Sequence, residues 1–249
     1  MDNAELMTTW CAMWSEDPAL AHEVLAADGR QWSGQTPALD PVVGPEQQAG
    51  FVQAYRAAHV NVFTPRLLVD GGSSFAYLWD ARLPDGTVRT GLDVDVVRDG
   101  LVADNWTFVA ARACELADPD VPSGAGALDV AGLAAVAERW VAVWSGDVEQ
   151  AQGLVTDDFQ AWSAASEVEQ EGRGPAVLAA RVERERLRHA ALAVRLHREP
   201  VLDVDRQRVA VLWSATEDAA EVGGVDLLTL EAGRVSRSWT LRGTRPFRY

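Results

Sequence analysis

Residues 91–106, GLDVDVVRDGLVADNW, decide how this chain is read. Two runs rich in Val and Leu, the first with acids at alternate places (Asp93 and Asp95), are joined by Arg98-Asp99-Gly100, the composition of an antiparallel hairpin with a tight turn. The same text returns at 224–239 as GVDLLTLEAGRVSRSW. Working outward, the correspondence continues in both directions. Trp10, Trp14 and Trp32 recur as Trp140, Trp144 and Trp162 at a constant offset of 130, Trp79 as Trp213 at 134, and Trp106 as Trp239 at 133. All ten tryptophans are thus paired, and TWCAMWSEDP answers RWVAVWSGDV. Gly44-Pro45 answers Gly174-Pro175, and His59 answers His189. Internal repetition on this scale predicts a tandem duplication. Its expected parts are residues 1–116, a turn-rich linker at 117–127 (ADPDVPSGAGA), and residues 128–249.

Each repeat has the same expected order. An amphipathic helix (about 4–15 and 130–145) carries two tryptophans four residues apart, hence on one face. A second short helix follows, then a brief strand around Gln31–Gly34 and Ala161–Ala164. A third helix opens at Gly44-Pro45 or Gly174-Pro175, proline being favoured in a first helical turn. Strands are then expected at 63–69, 73–82, 88–98 and 101–110, and at 192–203, 207–216, 222–231 and 233–243. Helices first and a strand meander last gives an α+β class: two tandem cone-shaped domains, each three helices packed on a curved, mostly antiparallel sheet.

Composition narrows the function. The 249 residues are 48% hydrophobic and 24% charged, as in a soluble globular protein. The longest apolar runs fall far short of the length of a membrane span, and no secretory signal is expected at the start. A net charge of −15 argues against a nucleic-acid partner, since phosphate binding is driven by clustered Lys and Arg. The acid is concentrated in residues 1–125, with 18 Asp and Glu against 7 Arg. Lys and Ile are absent altogether, a coding bias expected of a GC-rich genome such as an actinobacterium's. Cys11 and Cys114 are expected as reduced thiols in a cytoplasm. The four histidines and two cysteines lack metal-ligand spacing, so no metal is expected. The Arg-rich segment at 181–199 is interleaved with Glu and reads as a solvated helix face or an interface.

The order of elements, W-S-G-D after the first helix, G-P opening the third, and the motif at 91–106 resemble the nuclear transport factor 2-like superfamily. Within it, the likeness is to the SnoaL-like and ketosteroid isomerase-like proteins. The resemblance covers nearly the whole chain, twice. It implies a conical pocket between helices and sheet, suited to an apolar small-molecule ligand or substrate, with no cofactor. It also implies pairing through the outer sheet face, which a tandem chain satisfies as an intrachain pseudo-dimer, with a further homodimer as an alternative. Members are isomerases, polyketide cyclases, dehydratases, epoxide hydrolases, or proteins without chemistry.

Asp93 and Asp226 lead the candidate residues. Each is an acid inside an otherwise apolar strand, where it must be paired or neutral. The resemblance places both at the oxyanion-hole aspartic acid of the isomerases, a carboxylic acid kept protonated so that it donates a hydrogen bond. Asp95 shares the face of Asp93 by period 2, and repeat 2 has Leu228 there. His59 and His189, near the ends of the third helices, are candidate general bases. At the strand position of the isomerases' basic Asp stand Ser33 and Ser163, and neither half shows the acid pair of the tandem polyether epoxide hydrolases. Asp80, beside Trp79, is expected to face away from the pocket. The aromatic residues read first as core; Trp14, Trp79, Trp106, Phe108, Trp144, Trp213 and Trp239 are also candidates for contact with a flat ligand. The expected function is a cofactor-independent isomerase, cyclase or hydrolase of secondary metabolism, centred on repeat 1. The alternative is a non-catalytic small-molecule-binding or accessory protein of the same fold.

Overall fold

A computed structural model describes residues 1–119, 124–164, 172–189, 192–217 and 220–249; part of the expected linker, residues 120–123, lies outside them. The chain forms two compact units, one of residues 1–115 with 248–249 and one of residues 116–247. The last two residues thus pack with the first unit rather than the second, where chain order alone had put them. Each unit is α+β.

In the first unit, α1 (Asn3–Ser15) starts at Asp2, whose side chain accepts the Glu5 amide at 2.8 Å while Glu5 reaches back to the Asp2 amide at 3.1 Å. Such a reciprocal cap contributes about 1 kcal/mol. A short α2 (Ala21–Val24) runs into β1 (Leu25–Ser33), then β2 (Val42–Val43) and α3 (Gly44–Ala58). A meander follows: β3 (Val62–Asp70), β4 (Ser74–Arg82), β5 (Val88–Arg98) and β6 (Leu101–Val109). The sheet order is β2-β1-β6-β5-β4-β3, antiparallel except for the parallel β1–β6 pair. The second unit repeats this with α4 (Val130–Trp144), α5 (Ala151–Leu154), β7 (Val155–Ser163), α6 (Pro175–Arg188), β8 (Ala193–Leu196), β9 (Val201–Asp203), β10 (Arg208–Glu217), β11 (Ala220–Glu231) and β12 (Arg234–Arg242). Its order is β7-β12-β11-β10-β8, with β9 also on β10 and β7–β12 parallel.

Two expectations are corrected. The brief strands at Gln31 and Ala161 are nine-residue strands that begin at Leu25 and Val155, because both are hydrogen-bonded along β6 or β12. The run 192–203 is two strands: it contains Pro200, which lacks the N–H a ladder needs. In the first unit the corresponding strand survives Pro65 by shifting register between Pro65 and Leu68. No helix among the described residues is long and apolar enough to cross a membrane.

The recurring glycines have steric reasons. Gly44 and Gly174 lie at φ +77° and +84°, and a Cβ there would stand 2.9 Å from the Ala27 carbonyl and 2.6 Å from the Asp157 carbonyl. Each third helix therefore starts tight against the first strand of its unit. Gly91 and Gly224 face Trp79 and Trp213 directly across the strand pair. A Cβ at either would fall 2.0 or 2.2 Å from the indole. The missing side chains are what let both indoles lie flat on the sheet.

Overpacking of this kind costs about 1–3 kcal/mol. Gly91→Ala and Gly224→Ala should each destabilise the protein by that amount in denaturant titration. Gly50→Ala, exposed on α3 with open space around it, should be neutral or stabilise by up to about 1 kcal/mol.

Candidate functional site

In the first unit α1 packs on β3 and α3 on β1, leaving a cavity of about 200 Å³ between helices and sheet. Its upper wall is aromatic: Trp10, Trp14, Phe51, Tyr55, Phe63 and Trp79. Trp14 meets Tyr55 and Phe51 edge-on, at 5.3 and 6.0 Å between ring centres. The floor is the sheet, and strand register arranges it in rows. One row reads Tyr77, Asp93, Thr107, Ser33 across β4, β5, β6 and β1. The next reads Phe75, Asp95, Asn105, Gln31.

Asp93 opens onto the cavity and is only 2% exposed. Its Oδ1 accepts the Trp79 indole N–H at 2.7 Å; its Oδ2 accepts the Tyr77 hydroxyl at 3.2 Å and the Asn105 amide at 3.1 Å. Asn105 also donates to Asp95 Oδ1 at 2.9 Å, so one amide bridges both acids. Asp95 is buried and lies outside the cavity lining. Burial pushes the Asp95 carboxyl well above the ordinary carboxylate range and the charge of Asp93 adds to this, with only the Asn105 bond opposing. Burial raises Asp93 too, but hydrogen bonds from Thr107, Trp79, Asn105 and Tyr77 work against it. Both carboxyls are thus raised, Asp95 further than Asp93, because Asp93 has the more numerous hydrogen bonds opposing the effect of burial. The expectation of a buried, inward Asp93 with a raised carboxyl pKa agrees with this geometry. Burial and the nearby acids raise the pKa of the Cys11 thiol, which also lines the cavity, and so disfavour its thiolate.

Gln31 was not singled out from the sequence. Its Oε1 accepts Gln48 Nε2 at 2.7 Å, so the free end of its amide is the NH₂ group, and Gln31 lines the cavity. That group makes no hydrogen bond among the described residues. Repeat 2 has Ala161 and Leu178 at the corresponding positions.

The second unit has a smaller cavity of about 70 Å³, lined by Trp140, Trp144, Ser163, Arg181, Trp213, Asp226 and Thr240 among others. Its rows read Val211, Asp226, Thr240, Ser163 and Val209, Leu228, Ser238, Ala161. Asp226 is 2% exposed and accepts the Trp140 indole N–H at 2.8 Å. Burial raises its carboxyl, against Thr240, Trp140, Arg181 and Trp213.

Trp14, Ser33, Trp79, Trp144, Ser163 and Trp213 line their cavities. The Ser33 hydroxyl also accepts the amides of Gln35 and Thr36 at 3.2 and 3.0 Å, closing a turn. Trp106, Phe108 and Trp239 do not belong to the cavities. They neighbour the inward Thr107 and Thr240, so strand alternation sends them to the opposite sheet face, where Trp106 meets the Tyr249 ring at 5.3 Å. His59 and His189 do not line the cavities either. Each ends its helix, donating its backbone N–H to Tyr55 or Glu185 at 2.9 Å, and His59 is exposed. Asp80 points away from the cavity to Thr90 Oγ1 at 2.7 Å and to Arg66. Among the described residues no three His, Cys, Asp or Glu side chains cluster as metal ligands.

No protein-family profile matches the chain, and no curated protein matches it. Among solved structures, wild-type IdmH from Streptomyces antibioticus, provisionally named a polyketide cyclase, is 20% identical; the match covers 43% of this chain and 90% of that one, with a TM-score of 0.37. A provisionally named isomerase of the SnoaL-like family from Agrobacterium tumefaciens is 21% identical over 43% of this chain and 97% of its own, with a TM-score of 0.34. A protein with a ketosteroid isomerase-like fold from Catenulispora acidiphila, solved with trimethylamine, is 16% identical over 43% and 86%, with a TM-score of 0.35.

The buried acid pair sets a pH dependence of stability. A folded pKa above the unfolded one favours the fold at low pH, and that contribution is lost as pH rises above the unfolded carboxyl value of about 4. Asp95→Asn removes the loss. Its melting temperature should exceed that of the wild type at pH 8, and the two should converge as the pH falls towards 4 in thermal unfolding followed by circular dichroism.

Proposed function

We propose that the first unit moves a proton on an apolar, carbonyl-bearing small molecule, as a cofactor-independent isomerase or cyclase. The observation that carries this reading is Asp93: a buried carboxyl at the foot of an aromatic cavity, held by three donors, with a second acid behind it. Fixed donors orient the carboxyl, and burial keeps its proton affinity high enough to act as a base.

The carboxylate of Asp93 takes a proton from the carbon next to the carbonyl, and the electron pair of that C–H bond moves to the carbonyl oxygen. The Gln31 N–H, held by Gln48, stabilises the resulting enolate oxygen. Asp93 then returns the proton at a second carbon, which isomerises the substrate, or the enolate carbon closes a ring on another carbonyl, whose oxygen takes the proton. The aromatic walls exclude water and suit a flat ring system. Hydrolysis fits less well, because only one of the two acids faces the cavity.

Deuterium uptake from D₂O into a panel of apolar cyclic ketones and β-diketones, read by mass spectrometry, tests this directly. Asp93→Asn should slow exchange about 100-fold or more. Gln31→Leu should slow it by about 100-fold, the effect of losing one oxyanion donor. Asp226→Asn and His59→Ala should leave it near wild type. Equal losses from Asp93→Asn and Asp226→Asn would remove the first unit's special role. Tight binding of a panel member with no exchange would favour a binding protein instead.

A further inference from the structure

Besides the rows of its sheet floor, the second cavity differs from the first on its helix side. Arg181 stands on α6 where Phe51 stands on α3, 130 residues earlier, and both side chains line their cavities. Arg181 is 7% exposed. Its guanidinium lies 5.7 Å from the centre of the Trp144 ring, and among the described residues it makes no hydrogen bond and no ion pair. Asp226 and Glu185 act on it only through space. Glu185 is itself held by Arg188 at 2.8 Å, and Asp226 by Trp140.

A guanidinium presents five N–H donors in a planar fork and stays charged even when burial lowers its pKa. Left unpaired in a wall of this kind it is unfavourable. Burial raises the Asp226 carboxyl, and the nearby Arg181 charge acts against that. Arg242 and Glu185 stand on the same lining, one of each sign. The rest of the wall is Trp140, Trp144, Trp213, Leu192, Val194 and Ala215, which suits an apolar body.

We propose that the second unit's cavity binds a small organic monocarboxylate, its two oxygens in the fork of Arg181 and its apolar body among Trp140, Trp144 and Trp213. The fork matches a carboxylate edge to edge. The cavity of about 70 Å³ takes a small acid, and the acids Asp226 and Glu185 on its lining oppose a doubly charged phosphate. This site is separate from the proton-transfer site of the first unit and does not rest on it.

Isothermal titration with propionate, benzoate, benzamide and inorganic phosphate is the test. At least one of the two carboxylates should bind with one equivalent per chain, while benzamide and phosphate should not bind. Arg181→Met should weaken that binding at least tenfold, as expected for losing a charged hydrogen-bond partner. Without ligand this variant should melt at or above the wild-type temperature, because an unpaired buried charge is gone. Arg181→Lys keeps the charge but not the fork and should also lose about tenfold, which keeps the test open if the methionine variant fails to fold. Val60→Ala, exposed in the first unit, should leave carboxylate binding unchanged. Benzamide binding as well as benzoate, phosphate binding in place of the carboxylates, unchanged affinity in both Arg181 variants, or no carboxylate binding at millimolar concentration would each overturn the proposal.

Discussion

A tryptophan lying on a glycine holds the first site together. Gly91 has no side chain, so the Trp79 indole settles onto the neighbouring strand, and its N–H then reaches Asp93 two residues along the same face. That one bond does three things. It satisfies an indole donor in the core, fixes the rotation of a buried carboxyl, and keeps the ring edge at the cavity wall. A different cross-strand partner for Trp79 would leave the acid without its shortest hydrogen bond and the cavity without one of its aromatic walls. The glycine–tryptophan pair recurs as Gly224 and Trp213, but there Asp226 takes its indole N–H from the helix residue Trp140. The acid is thus anchored by the sheet in one unit and by a helix in the other.

The units show how far one scaffold can be turned to different chemistry by the residues in its register rows. Where the first has Asp95, Asn105 and Gln31, the second has Leu228, Ser238 and Ala161. A second buried acid is unfavourable, and it is sustained only by sharing the Asn105 amide with Asp93. Removing that row makes the second core more apolar, and its cavity is the smaller of the two. Charge then enters from the helix side instead, through Arg181.

Much of this was legible in the sequence, and the limits are instructive. Period 2 placed Asp93 and Asp95 on one face, and the doubled tryptophans set the repeat, because both depend on local geometry that the backbone enforces. The same alternation, carried across the turn to Trp106, Phe108 and Trp239, would have put them on the opposite face from Thr107 and Thr240. The histidines misled, since a helix end explains their spacing as well as a site does. Gln31, Gln48 and Tyr77 escaped notice because their roles arise from contacts between strands and a helix distant in the chain. Comparing the repeats position by position, Gln31 against Ala161 and Phe51 against Arg181, carries the signal that a single repeat hides.

The C-terminal dipeptide adds a constraint of a different kind. Arg248 pairs with Asp40 at 2.9 Å, and the Tyr249 ring lies beneath the Arg30 guanidinium at 3.8 Å and against Trp106. Both residues come after the whole second unit in chain order but complete the first. The outer sheet face around Trp106 therefore stays unfinished during synthesis until every strand of the second unit has been made.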